Sequence, residues 1–336
     1  MSSDATIKVL LLGAGALGSI FAWRLQEGDK AKVTVVCRSN YSIVKSRGFS
    51  IVSEAYGKHT YHPNKVVRSV EDAVSDGTVY DFIIVCTKAL PNLSDDSEMI
   101  VPAVNGNKTT IILIQNGIGI EKAFCVRFPE SPIVSAVAYI DVSQPSDGVI
   151  EHGSNAMLLM GLCASENANY DTAAVNKSLQ SVSGIWNDNG ATCTIVENIQ
   201  RFRWLKLVWN ASFNTVSVVS GGNDTRQMLA DPYCKGLIRN LMTEVYKIGE
   251  AATGEPLPVL LGADSPDAFI ASTEANKTPV CPSMLMDFRA RRPMEHEVIL
   301  KRPLDVAKRL GIHAPYMEAV YALVVMVEKG YLSSRL

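Results

Sequence analysis

The segment from Ile7 to Gly18, IKVLLLGAGALG, constrains this 336-residue chain more than any other. Its first half is a short apolar run that stops at Gly13, the pattern of a parallel strand buried on both faces. Residues Ala16 to Gln26 then place Leu17, Ile20, Phe21 and Leu25 at the spacing of one helical face. Lys32 to Cys37 reads as a second, β-branched strand. Gly13, Gly15 and Gly18 therefore lie in a strand–loop–helix context. There they permit a tight turn, a close approach to a pyrophosphate and tight helix–strand packing, with Ala16 and Leu17 heading the helix. A loop that merely packs a helix on a strand is the bland alternative. The correct placement of strand, helix and second strand favours dinucleotide binding.

The second strand ends in Cys37-Arg38-Ser39-Asn40, where an NAD site would carry a carboxylate for the ribose hydroxyls. A guanidinium there pairs with a 2′-phosphate and stacks on adenine, with Ser39 and Asn40 as further donors, so NADPH/NADP+ is the expected cofactor. Tyr80 to Cys86 and Thr109 to Ile114 repeat the strand pattern. They deliver Thr87-Lys88 and Gln115-Asn116-Gly117 to the carboxyl ends of strands, where ligands of open α/β sheets bind. Stretches at Ile133 to Val142, Ala156 to Met160 and Ala191 to Val196 extend the sheet or close its edge. Beyond residue 198 the texture turns helical: Arg201 to Ser220, Pro232 to Ala252 and segments from Ser283 onward. Asp231-Pro232 is a helix start and Gly254 a stop. The expectation is an α/β Rossmann-type dinucleotide-binding domain over residues 1–198, followed by an all-α domain over 199–336.

Lys206, Asn210 and Asn214 fall at i, i+4 and i+8 of an otherwise apolar helix, within about 80° of one another. A lysine and two amides among Trp204, Leu207, Trp209 and Phe213 are costly to bury unless something polar meets them, and a bound substrate would.

Charge balance excludes other classes. Lys plus Arg (32) nearly cancels Asp plus Glu (34), and no basic stripe suits nucleic acid. Seven cysteines without a C-x-x-C pair read as reduced thiols, and no cluster of metal-ligand spacing appears, so no metal is expected. The apolar run Val320 to Val327 is too short to cross a bilayer, and the opening Met-Ser-Ser-Asp leaves no room for a signal peptide. A cytoplasmic location is the default. The apolar helix from Tyr316 to Val327 suits packing in the core or across a homodimer.

Taken in order, the Gly13–Gly18 loop, Arg38, Lys88, the Gln115-Asn116-Gly117 triplet, Lys206-x3-Asn210-x3-Asn214 and the segment from Ser283 through Asp287 to Glu295 resemble the ketopantoate reductase (2-dehydropantoate 2-reductase) family over nearly the whole chain. The resemblance implies NADPH-dependent reduction of a 2-keto acid, most simply 2-dehydropantoate to pantoate in pantothenate biosynthesis. It implies Lys206 as the proton donor, with Glu295 as its acidic partner. Asn116 becomes an active-site amide that meets both cofactor and substrate, and Asn210, Asn214 and Ser283 become further contacts to the small-molecule keto acid. Another activated ketone as substrate, or a non-catalytic NADP(H)-binding redox sensor, are the alternatives. The family continues Glu-x-Asp-x-x-Asn-Gly after its glutamate, whereas this chain has Leu300-Lys301 and then Pro303. The expectation is that Leu300 and Lys301 change what faces the pocket, and that Pro303 distorts its helix. The cluster Arg289, Arg291 and Arg292 reads as a solvated helix face or as a lure for an acid.

Overall fold

The computed structural model describes residues 6–163, 169–260 and 262–333; the first four residues, which carry the signal-peptide expectation, lie outside them. The chain forms two compact units: Met1–Lys88, Asp95–Gln115 and Ile120–Ile199 in the first, and Ala89–Ser94, Asn116–Gly119 and Gln200–Leu336 in the second. Two short excursions, 89–94 and 116–119, thus leave the first unit and join the second. Asn116 is one of the residues that change sides.

In the first unit the elements run β1 (Ile7–Leu12), α1 (Ala16–Gln26), β2 (Ala31–Val36), α2 (Tyr41–Arg47), β3 (Phe49–Ser53), β4 (Gly57–Tyr61), β5 (Lys65–Val67), α3 (Val70–Val74), β6 (Phe82–Val85), α4 (Asp96–Met99), β7 (Thr110–Leu113), α5 (Lys122–Arg127), β8 (Ile133–Ser146), β9 (Val149–Leu162), α6 (Thr172–Asp188) and β10 (Thr192–Ile195). Among the described residues the strands form one sheet in the order β4-β3-β9-β8-β7-β6-β1-β2-β5, with β10 also on β9. Strands β5, β2, β1, β6 and β7 are parallel and in register: Leu12 faces both Val36 and Val85, Val36 faces Val67, and Val85 faces Leu113. Their carboxyl ends therefore stop at one level. The chain moves outward from β1 in one direction to β2 and later in the other to β6, so the switch point of the topology lies at the end of β1.

Burial on both faces explains why β1 is apolar throughout its second half: Val9, Leu10 and Leu11 are fully buried. Each such side chain contributes on the order of 1.5–3 kcal/mol relative to exposure. On the covering layer, Trp186 of α6 packs edge-on against Phe21 of α1 and donates its indole N–H to the Phe21 carbonyl at 2.9 Å. The stretches beyond residue 130 extend the sheet by an antiparallel hairpin of two long strands, β8 and β9, turning at Asp147-Gly148, where Gly148 has φ +74°. The antiparallel pair β3–β4 joins the sheet through β9; sequence periodicity did not isolate it.

In the second unit come α7 (Ile199–Trp209), α8 (Thr215–Val219), α9 (Thr225–Ala230), α10 (Pro232–Thr253), α11 (Pro266–Glu274), α12 (Ser283–Arg289), α13 (Arg302–Arg309) and α14 (Pro315–Leu332). The expected limits of α10 hold. The Asp231 carboxylate accepts the Cys234 N–H at 2.7 Å, Pro232 occupies the first turn, and Gly254 ends the helix at φ +73° with its N–H on the Glu250 carbonyl. Gly249 lets Trp204 lie against α10, because a Cβ there would come within 2.9 Å of the Trp204 Cβ. Two π-turns interrupt the helices, Asn210–Asn214 between α7 and α8, and Glu297–Lys301 before α13. The second precedes Pro303, which has no N–H to return to the carbonyl four residues earlier; the wider turn accommodates that loss.

Candidate active site

The carboxyl edge of the parallel strands in the first unit carries the cofactor residues. Gly13 has φ +98°, and a Cβ on it would lie 2.5 Å from the backbone of Cys86 and Thr87. A Cβ on Gly18 would collide with the Gly13 carbonyl. Gly15 is different, since among the described residues only the Gln144 Oε1, at 3.8 Å, approaches the position of its missing Cβ. Gly15 caps α1 in extended conformation, no side chain caps the helix, and no acidic residue stands in its first turn, which holds Ala16 and Leu17. The first-turn N–H groups and the positive end of the helix dipole are thus presented to an anion approaching over Gly15, and the cradle fits a pyrophosphate.

Arg38 and Ser39 stand exposed just past β2. Asn40 does not join them: its amide donates to the Ala14 carbonyl at 2.9 Å, so it braces the glycine loop rather than offering a donor to a ligand. Sequence reasoning missed Arg68, which follows β5 directly. Its guanidinium lies 4.0 Å over the Tyr41 ring, and the register of β5 on β2 sets it beside the Cys37-Arg38 end. Also unforeseen is a network beyond β6 and β7. The Thr87 hydroxyl and the Gln115 amide both donate to the Asp96 carboxylate, at 2.7 and 2.8 Å. Burial pushes the Asp96 carboxyl above its ordinary range, against these hydrogen bonds and the attraction of Arg38. Lys88 is exposed at the end of the first segment of the first unit.

The second unit assembles a polar cluster from four separate stretches of chain. Glu295 is buried; one carboxylate oxygen accepts the Ala89 N–H at 2.9 Å, and the other lies 3.3 Å from the Asn116 amide nitrogen. The loop bearing Asn116 is held from behind. Arg203 donates to the Gly117 carbonyl at 2.9 Å, Arg302 to the Gly119 carbonyl, and the Ile118 N–H to the Val298 carbonyl. Gly117, at φ +86°, is required there, because a Cβ would sit 2.5 Å from that of Val298.

Lys206 keeps part of its residue surface, but its ammonium is deeply desolvated. Burial, aided by the like charge of Arg203, brings it down to about 8, with Glu295 pulling the other way. Asn210 and Asn214 are buried, and among the described residues neither polar atom of the Asn214 side chain has a hydrogen-bond partner. Four residues of α-helix overshoot one full turn by about 40°. The π-turn between Asn210 and Asn214, with its wider i→i+5 ring, takes that overshoot back and carries Asn214 toward the line of Lys206. Ser283 is exposed at the first residue of α12. Leu300 is fully buried, whereas Lys301 pairs along its own helix with Asp305 at 2.6 Å. The Lys301 ammonium is thus engaged by a carboxylate of its own helical run. Arg292 pairs with Asp287, and Arg289 donates to the Gly222 carbonyl.

A parallel sheet with a glycine cradle at its switch point, and a helical unit with a desolvated lysine in Coulombic reach of a carboxylate and one unmet amide, are features of a dinucleotide-binding oxidoreductase. The sequence profile of ketopantoate reductase PanE/ApbA matches residues 9–164, and that of its C-terminal part matches residues 198–328. The chain belongs to the ketopantoate reductase family, whose general activity is reduction of keto acids with a nicotinamide dinucleotide. The crystal structure of 2-dehydropantoate 2-reductase from Methylococcus capsulatus superposes with a TM-score of 0.82 at 34% identity, covering 97% of this chain and 98% of that one. The 2-dehydropantoate 2-reductase of a Nostoc species is 27% identical over 94% of this chain and 93% of its own. The meiotically up-regulated gene 72 protein of Schizosaccharomyces pombe is 27% identical over all of this chain, which spans only 59% of that relative.

Proposed function

We propose that this protein reduces a 2-keto acid, with 2-dehydropantoate as the leading substrate, using NADPH and Lys206 as the proton donor. The observation that carries the reading is the desolvated Lys206 ammonium on the same helical run as an unpartnered, buried Asn214 amide, with Glu295 in Coulombic reach. A lysine brought to about 8 gives up its proton far more readily than an ordinary one and is still charged at neutral pH. When bound, NADPH supplies a hydride to the ketone carbon. Gly13, Gly15, Ala16, Leu17 and Gly18 would hold its pyrophosphate, and Arg38 its 2′-phosphate, with Arg68 alongside.

Lys206 donates a hydrogen bond to the substrate carbonyl oxygen, stabilises negative charge as it develops there, and delivers the proton. Glu295, anchored by the Ala89 N–H, keeps Lys206 charged and accepts a substrate hydroxyl. Asn210 and Asn214 supply the donors and acceptors that the rest of the substrate needs, which removes the penalty of leaving the Asn214 amide unmet. The full burial of Leu300, where the family pattern carries Asn, favours a second reading in which a less polar ketone is reduced. NADPH oxidation measured against a panel of 2-keto acids and simple ketones tests both. Turnover of 2-dehydropantoate above all others supports the first, and no turnover of any carbonyl compound refutes the enzyme reading altogether.

A further inference from the structure

The residues on either side of Glu295 are tied to one side chain far along the sequence. Glu328 on α14 accepts the Met294 N–H at 2.6 Å through one carboxylate oxygen and meets the His296 Nε2 at 2.7 Å through the other. Both Glu328 and His296 are buried. Burial alone would raise the Glu328 carboxyl, but the hydrogen bonds from His296 and Met294 outweigh it and hold the group below its ordinary value. An ionised carboxylate only accepts, so Nε2 of His296 is the donor in this pair. On its other side His296 faces the Glu297 carboxylate, with Nδ1 3.4 Å from Oε1. That carboxylate in turn accepts the Tyr321 hydroxyl at 2.9 Å, and Tyr321 packs against the His296 ring.

We propose that Glu328, acting directly on Met294 and through His296, is a positioning residue that fixes the Glu295 carboxylate against the Ala89 N–H and the Asn116 amide. The inference rests on the reading of Lys206 and Glu295 given above. Residue 295 sits at the junction of a loop and a π-turn, where backbone alone would not hold a side chain to a fraction of an ångström. Clamping residues 294 and 296 to a single carboxylate removes that freedom. The two bonds are charge-assisted and buried, the strong kind. A misplacement of about 1 Å at a site of this sort costs on the order of 100-fold in rate. Because Glu295 is the group that favours the charged form of Lys206, loosening it also lowers the affinity of Lys206 for its proton.

The experiment compares the wild type with Glu328→Ala, Glu328→Gln and His296→Gln. Lys206 is titrated by NMR on lysine labelled at the ε-carbon, and NADPH affinity, kcat and KM are measured on the same preparations. The expected result for Glu328→Ala is a kcat lower by about 10- to 100-fold, NADPH affinity within twofold of wild type, and a Lys206 midpoint lower by roughly half a pH unit. Glu328→Gln keeps an acceptor for the Met294 N–H and should recover much of both. If the alanine variant does not fold, His296→Gln should show the midpoint shift by itself. A Lys206 midpoint unmoved in every folded variant overturns the proposal, whatever happens to kcat. A wild type that reduces no keto acid would refute the function proposed above, yet the lysine titration would still decide whether the clamp exists.

Discussion

Replacing Lys206 by Met should make the protein more stable while abolishing most of its turnover. The ammonium lies about 2.5 pH units below an ordinary lysine, 8 against 10.5. At 1.36 kcal/mol per unit, holding it charged in the folded state costs at most roughly 3 kcal/mol. Methionine fills much of the same volume without that cost, although it removes the attraction between Lys206 and Glu295. The expected gain in the free protein at pH 7 is therefore smaller, about 1–2 kcal/mol. The sign of the pH dependence is fixed by linkage. Between pH 8 and 10.5 the unfolded chain binds the lysine proton and the folded one does not, so wild-type stability rises with pH across that window. Below pH 8 the whole penalty is present. The gap between variant and wild type should be widest at pH 7 and close as pH climbs toward 10.5. Urea unfolding of both proteins, without added ligand, at pH 7 and pH 10 measures it. A methionine variant less stable than wild type at pH 7, or a gap equal at the two pH values, refutes the reasoning.

Other outcomes follow from the same geometry. With Lys206 acting as an acid, kcat should fall as pH rises through about 8, and a pH profile flat from 6 to about 10 would remove it from the proton step. Arg38→Asp should reverse a preference for NADPH over NADH of at least about tenfold, and Arg68→Ala should weaken NADPH several-fold while sparing NADH; titration calorimetry with both dinucleotides reads each. Asn214→Leu should raise stability by about 1 kcal/mol, because an unmet buried amide is removed, and raise KM for the keto acid by tenfold or more; a destabilised variant would show that the amide has a partner in the free protein. Gly13→Ala should cost several kcal/mol and eliminate dinucleotide binding, since its Cβ has no space against Cys86 and Thr87; near-normal melting and binding would contradict that packing.

The features that the sequence by itself determined are those in which a residue's own backbone or its nearest neighbours impose the structure. Gly13 and Gly254 sit at positive φ, Asp231-Pro232 starts a helix, and the β1 run is buried on both faces, all of which are demands met within a few residues. The run of Lys206, Asn210 and Asn214 was legible for the same reason, since one helical face is a local pattern. The tertiary structure decided what depends on groups distant along the chain. Glu295 is buried because an N–H 206 positions away meets it, and Asn40 turns inward because the Ala14 carbonyl is available. The two π-turns differ from α-helix only in which amide reaches which carbonyl, a choice made by packing and by Pro303 rather than by apolar spacing. Lys301 bonds its own helix and Arg68 lies over Tyr41 because long flexible cations take whichever partner the fold brings within reach, and no pattern of residue types records that choice.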